Sequence, residues 1–199
     1  MTRLGWGILV AIVVVIAGFA SVTRFGTIRP EARMARDAAA PSPGAVAPAT
    51  SPGRLVVPVA GVSRAALRDN WGDPREGGAR AHHGLDIPAA AGTAVLAAAP
   101  GRVEKLFQSG RGGTTLYVRS TDGGTAYYYA HLAGYAPGIA EGRIVRAGET
   151  IAFVGDSGDA GPGNYHLHFG VQRMAPGMRW WQGEDVDPYP ILAAGTAPR

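Results

Sequence analysis

Short runs of apolar residues, separated by Gly and Pro, extend from about Leu55 towards the end of the 199-residue chain. The runs are 55–59, 93–99, 102–107, 114–119, 125–132, 150–155 and 165–172. Several alternate between apolar and polar residues with a period of two, which is typical of strands with one buried face. The segment SRAALRDNW (63–71) gives the only indication of a helix. We therefore predict a mainly β domain of antiparallel strands over residues 54–199.

Two segments repeat one feature, a Gly before a short strand and an apolar pair after it: AGTAVLAAAPGRV (91–103) and EGRIVRAGETIAFVG (141–155). Such hairpins resemble those of barrel-sandwich folds, among them lipoyl carriers. A carrier needs a Lys at a hairpin tip, and the chain's single lysine, Lys105, lies inside a predicted strand. The pattern thus predicts a barrel-sandwich-like domain without a carrier function.

The N-terminal part has a different pattern, because Leu4 to Thr23 is an uncharged stretch dominated by Val, Ile, Leu and Ala. Twenty helical residues span about 30 Å, the thickness of a bilayer core. A secretory signal has an apolar region of only about 7–15 residues. We predict that residues 1–23 form an uncleaved transmembrane anchor. The alternative is a signal cleaved near Gly18-Phe19-Ala20.

Residues 24–53 are predicted to be a spacer, since the stretch 38–53 is uncharged and contains four prolines. The net charge of +4 arises mainly from the first 53 residues, which contain five arginines and two acidic residues. The domain is nearly neutral, which argues against nucleic-acid binding. The absence of cysteine excludes disulfides, thiolate metal sites and a Cys nucleophile.

The five histidines fall in three short clusters, of which HHGLD (82–86) is the first. In a straight strand His82 and Asp86 would lie about 13 Å apart, too far to share a metal. A bend at Gly84 would bring them together. His83 would point the other way and is left out of the site.

The other clusters are HLHFG (166–170) and YYYAHL (127–132). In a strand, His166 and His168 share one face while Leu167 and Phe169 point to the core. The same alternation places His131 on the face of Tyr127 and Tyr129. Each cluster taken alone is also compatible with histidines of a polar loop or an edge strand.

Two histidines and a carboxylate form a catalytic zinc ligand set that leaves one position for water. Hydrolysis also needs groups that accept and donate protons, and His131 and whichever histidine of H-x-H does not bind the metal fit these tasks. Two histidines and a carboxylate also bind iron in non-haem oxygenases, so the residues alone leave that class open.

The motifs HHGLDIPAAAGTAVLAAAPGRV, YYYAHL, GRIVRAGETIAFVGDSG and HLHFG resemble those of the lysostaphin/LytM-type zinc endopeptidases of bacterial cell walls. The resemblance covers roughly residues 70–192. It implies an antiparallel β-sheet groove, one zinc bound by His82, Asp86 and His168, and His131 and His166 as the catalytic pair. It also implies that the substrates are the peptide cross-links of peptidoglycan.

The chain departs from the family at two places in the predicted groove walls. Glu76 occupies the position where some staphylolytic members have Tyr, and the loop SGDAGPGNYHLHFG is longer than usual. Some members that have lost zinc ligands activate other hydrolases, and a silent module of this kind is the alternative function. All five expected site residues are present here.

The resemblance also bears on topology. Four arginines follow the apolar segment and one precedes it, so the positive-inside rule favours a cytoplasmic domain. A peptidoglycan substrate requires the opposite orientation. We therefore expect a single-pass protein of the cytoplasmic membrane with an extracytoplasmic catalytic domain.

Overall fold

The computed structural model describes residues 54–195. The predicted membrane segment 1–23 and the spacer 24–53 lie outside these residues. Between residues 54 and 195, no helix combines the length and the apolar character that crossing a bilayer requires.

Short antiparallel strands dominate the described residues. In chain order they are β1 (Pro74–Arg75), β2 (Arg80–Ala81), β3 (Leu85–Pro88), β4 (Ala94–Leu96), β5 (Gly101–Ser109), β6 (Gly113–Ser120), β7 (Thr125–Tyr135), β8 (Ile144–Val145), β9 (Thr150–Val154), β10 (His166–Arg173) and β11 (Glu184–Val186). Three single-turn 3-10 helices span Arg64–Ala66, Glu76–Gly78 and Gly158–Ala160. Helix α1 is Pro188–Ala194.

The prediction of a mainly β domain with antiparallel strands is confirmed. The principal sheet runs β11-β10-β7-β6-β5-β8, with β3 added to β10 and β9 added to β7. Within residues 54–195 the sheet does not close into a barrel, because β11 and β8 end this path. The barrel-like part of the prediction is therefore wrong. β1 and β2 form a separate hairpin.

The six predicted runs from 93 to 172 all contain strands, β4, β5, β6, β7, β9 and β10. The first run, 55–59, is instead an extended segment that lies beside β4, with an isolated bridge from Val59 to Val95. Of the predicted helix 63–71, only the turn Arg64–Ala66 is helical.

Helix α1 was not predicted, since its sequence PYPILAA contains two prolines. Both prolines lie in the first turn, where backbone N–H groups have no partner within the helix. Asp187 caps this end by accepting a hydrogen bond from the Tyr189 N–H, at 2.9 Å. Gly195 ends the helix in the left-handed conformation, with φ 72°.

The core packs against one face of the sheet, and the other face lines a cleft. Leu116, Tyr129, Leu167 and Phe169 are fully buried on the core face, in strands β6, β7 and β10. Because side chains alternate along a strand, the intervening residues of β10 point to the opposite face. This alternation, predicted for the H-x-H motif, directs His166 and His168 into the cleft.

Candidate metal centre

Strand β10 is the scaffold of the site because it pairs with β3 and β7 on opposite edges. Its register with β3 places His168 directly opposite Asp86. Its register with β7 places His168 opposite Ala130, the neighbour of His131. Side chains at opposite positions of an antiparallel pair are close enough to share a ligand. The sheet thus joins clusters that are far apart in the sequence.

His82, just before β3, completes a group of three donor atoms. Its Nε2 lies 2.9 Å from His168 Nδ1 and 3.0 Å from Asp86 Oδ1, and the latter two atoms are 3.0 Å apart. Tetrahedral zinc with ligands at about 2.0–2.1 Å has donor atoms about 3.3 Å apart. The group therefore fits a zinc ion after small outward shifts, and the three side chains could hold one metal.

The ionisation of these side chains also suits a metal. Burial alone raises the pKa of the Asp86 carboxyl, but hydrogen bonds with His168 and His82 outweigh burial and hold this pKa well below its usual value. Burial lowers the pKa of the His168 ring. An ionised carboxylate and a neutral imidazole are the forms that coordinate metals.

Asn70 supports both ligand segments, and sequence analysis did not identify it. Its backbone carbonyl lies 2.8 Å from His82 Nδ1, which directs Nε2 towards the other donors. Its side-chain oxygen accepts a hydrogen bond from the Asp86 N–H, at 3.2 Å. Such outer contacts fix the orientation of metal ligands. No local pattern marks this loop asparagine, because its partners lie 12 and 16 residues further along the chain.

Gly84 lies at the predicted bend, but space rather than backbone conformation requires a glycine there. Its φ is outside the left-handed range, and a Cβ at this position would lie 2.5 Å from His168 Cε1 and 2.6 Å from His168 Nε2. The absence of a side chain therefore leaves room for the imidazole ring.

We expect Gly84→Ala to displace His168 and to lower zinc affinity by about 10–100-fold, the range seen when the support of a metal ligand is lost. Competition with a chelator measures this affinity. Gly134→Ala is the matched control, because a Cβ there meets nothing within 4 Å and φ is also unstrained. Equal zinc affinity of the two variants would contradict this role of Gly84.

His131 faces the cleft because β7 is irregular at this residue. The predicted alternation places His131 with Tyr127 and Tyr129, which are in the core, and this prediction is wrong. His131 has φ 59°, a left-handed value that is uncommon outside glycine. The register of β7 against β6 shifts between Tyr129 and Leu132. The irregularity turns His131 into the cleft beside Ala130.

His131 and His166 form a pair next to the donor group, with ring centroids 4.8 Å apart. The Nδ1 atom of His131 lies 2.8 Å from the Ser157 carbonyl, and that of His166 lies 2.8 Å from the Asn164 carbonyl. Nδ1–H donates in both cases, so each Nε2 is free to exchange a proton. The long loop noted in the sequence supplies both carbonyls.

The donor group and the histidine pair share one cleft of about 410 Å³. Burial lowers the pKa of the His131 ring. The Nε2 atom of His166 lies 3.8 Å from Asp86 Oδ1, so the histidine pair is next to the donor group. A substrate carbonyl at the metal would therefore have two imidazoles beside it. His83 lies outside this cleft, as expected, where its ring stacks on Trp71 and contacts Asp185.

Comparison with known proteins identifies the family. The model of Peptidase family M23 matches residues 80–188. The L-Ala–D-Glu endopeptidase of Bacillus subtilis is 39% identical over 135 residues, which are 65% of this chain and 40% of that protein. A DD-carboxypeptidase/endopeptidase, Mpg, of Neisseria meningitidis is 40% identical over 91 residues, 45% of this chain and 20% of that protein. The chain therefore matches less than half the length of these relatives.

Solved structures give the same result. The catalytic domain of lysostaphin from Staphylococcus simulans matches with a TM-score of 0.53 and 26% identity, over 65% of this chain and 94% of that domain. LytU matches with a TM-score of 0.52 and 29% identity, over 62% of this chain and 81% of that structure. The resemblance seen in the sequence motifs is thus confirmed, and the chain belongs to Peptidase family M23.

Proposed function

We propose that this chain is a zinc metalloendopeptidase that hydrolyses peptide cross-links of bacterial peptidoglycan. One observation carries the proposal: three donor atoms lie 2.9–3.0 Å apart in a cleft that also exposes two oriented histidines. The family match supports a peptidase. An oxygenase with the same ligand types is not supported by it.

His82, Asp86 and His168 would hold one zinc ion per chain. When bound, zinc would supply a Lewis acid that polarises the peptide carbonyl and lowers the pKa of a water. His131 and His166 would accept and return protons at Nε2, since their Nδ1 atoms are held by carbonyls. Their protonated rings would also stabilise negative charge on the carbonyl oxygen.

The names of the relatives support the proposed substrate. The names of the Bacillus and Neisseria proteins describe an L-Ala–D-Glu endopeptidase and a DD-carboxypeptidase/endopeptidase. Lysostaphin is described as an antimicrobial peptidase. These descriptions support peptides of the cell wall as substrates.

Digestion of purified sacculi tests the proposed function. The zinc-loaded chain is expected to release new amino groups, and mass spectrometry of the fragments identifies the bond. The alternative is a silent module that activates another hydrolase. A zinc-loaded chain that releases no amino groups but stimulates an added amidase would contradict the proposal and support the module.

We also propose that residues 1–23 anchor the protein in the cytoplasmic membrane and that the domain is extracytoplasmic. A reporter fused after Arg199 is expected to be active outside the cytoplasm. The protein should remain with membranes after a high-salt wash, because burial of an apolar helix does not depend on charge. A cytoplasmic reporter signal would contradict this orientation and remove peptidoglycan as a substrate.

A further inference from the structure

Charged side chains from three separate segments meet at the mouth of the cleft. The β1–β2 hairpin contributes Glu76 and Arg80, the β5–β6 turn contributes Arg111, and the 3-10 helix after β9 contributes Asp159. Arg80 contacts Glu76 Oε1 at 3.1 Å and Asp159 Oδ2 at 3.2 Å. Both carboxylates next to Arg80 are thus already engaged by this one guanidinium.

Arg111 is the arginine of the cleft with the weakest partner. Its Nε lies 3.5 Å from Glu76 Oε1, and its side chain is 72% exposed. Within residues 54–195, Glu76 is its one ionic partner. A guanidinium has five N–H donors in a planar fork that matches a carboxylate. Most of the hydrogen-bonding capacity of Arg111 is therefore available to a ligand in the cleft.

Glu76 shows where a carboxylate fits. Its carboxylate lies between Arg80 and Arg111, at 3.1 and 3.5 Å, and its side chain is 43% exposed. Its backbone is in the left-handed region, with φ 51°, which is uncommon for a residue other than glycine. Exposed ion pairs of this kind contribute little to stability. A carboxylate of a bound peptide can therefore replace that of Glu76 at Arg111.

The charge around the cleft favours an anionic ligand. Arg75, Arg80 and Arg111 line the cleft with three acidic residues, of which Asp86 belongs to the donor group. A divalent metal bound by Asp86 would make the cleft positive as a whole. Positive potential in a concave site concentrates and orients negative ligands.

We propose that Arg111 is a specificity-determining residue that binds a free carboxylate of the substrate close to the bond cleaved. The substrate class is an anionic peptide, and its carboxylate displaces Glu76 from the guanidinium. This inference rests on the proposed peptidase function and adds a charge requirement to it.

The test compares two preparations of the same sacculi, one untreated and one in which the carboxylates have been converted to carboxamides. The full chain, loaded with zinc, is expected to release amino groups about tenfold faster from untreated sacculi, the effect of one charge-assisted hydrogen bond. Arg111→Gln should reduce this preference to about one, with unchanged zinc content and melting temperature. Arg111→Lys should retain part of it, since the charge remains.

Arg102→Gln is the matched control, because Arg102 is an exposed arginine of β5 outside the cleft. This variant should keep the full preference. The wild-type preference should also fall as salt is added, since exposed charges are screened. That measurement tests the inference even if Arg111→Gln does not fold.

The outcomes separate the inference from the function on which it rests. Equal hydrolysis of both preparations by the wild type and by Arg111→Gln would overturn the inference and leave the peptidase function intact. A preference that persists in Arg111→Gln would assign the carboxylate to another residue and overturn the role of Arg111. Failure of the zinc-loaded wild type to hydrolyse either preparation would overturn both.

Discussion

Replacing His131 or His166 by alanine is expected to reduce hydrolysis of peptidoglycan by about 10²–10⁴-fold, the usual contribution of a positioned acid or base. Zinc content should not change, since neither ring belongs to the donor group. Both rings are held through Nδ1 by a loop carbonyl at 2.8 Å, so each presents Nε2 to the cleft. The measurement is the rate of amino-group release together with the metal content of each variant.

Two further variants make this result specific. His131 has φ 59°, and Asn tolerates the left-handed region better than Ala. His131→Asn therefore tests the imidazole with the backbone preserved. His83→Ala is the matched control, because this histidine is exposed and outside the cleft. Loss of zinc in His166→Ala with retention in His168→Ala would reverse the roles assigned within H-x-H.

Asp86→Ala is expected to lower zinc affinity by more than about 100-fold, which exceeds the effect of losing a supporting contact. Asp86 is the one anion of the donor group, and removing it leaves Arg75 next to the metal without its carboxylate partner. Repulsion between a guanidinium and a divalent ion adds to the loss of a ligand. Metal analysis after dialysis measures the effect.

Asp185→Ala is the control for this prediction, since Asp185 also contacts a histidine, His83, but outside the cleft. It should keep one zinc per chain. A purified Asp86→Ala variant that retains stoichiometric zinc would show that the HHGLD motif is not the metal site.

The alternation of apolar and polar residues predicted the H-x-H strand correctly. Leu167 and Phe169 are fully buried, and His166 and His168 line the cleft. A buried sheet face imposes a period of two, so this strand has one acceptable orientation. The same rule failed at His131, where β7 contains an extra residue relative to β6. Periodicity cannot reveal an irregularity of this kind, because it assumes a regular strand.

The contacts that support the donor group could not be predicted, because they depend on tertiary structure. Asn70 meets His82 and Asp86 only when the loop before β1 folds against β3. Gly84 was expected for its conformational freedom, and it is required instead because the His168 ring occupies the space of a side chain. Neither relation appears in the local sequence.

Titration of the metal-free chain with zinc, with sacculi as substrate, tests the central claim most directly. The account predicts that the release of amino groups rises in proportion to added zinc and reaches a plateau at one zinc per chain. Addition of a chelator should abolish it and further zinc should restore it. Hydrolysis that persists in the metal-free chain, or no hydrolysis with one zinc bound, would contradict the assignment of His82, Asp86 and His168 as the centre of a zinc endopeptidase.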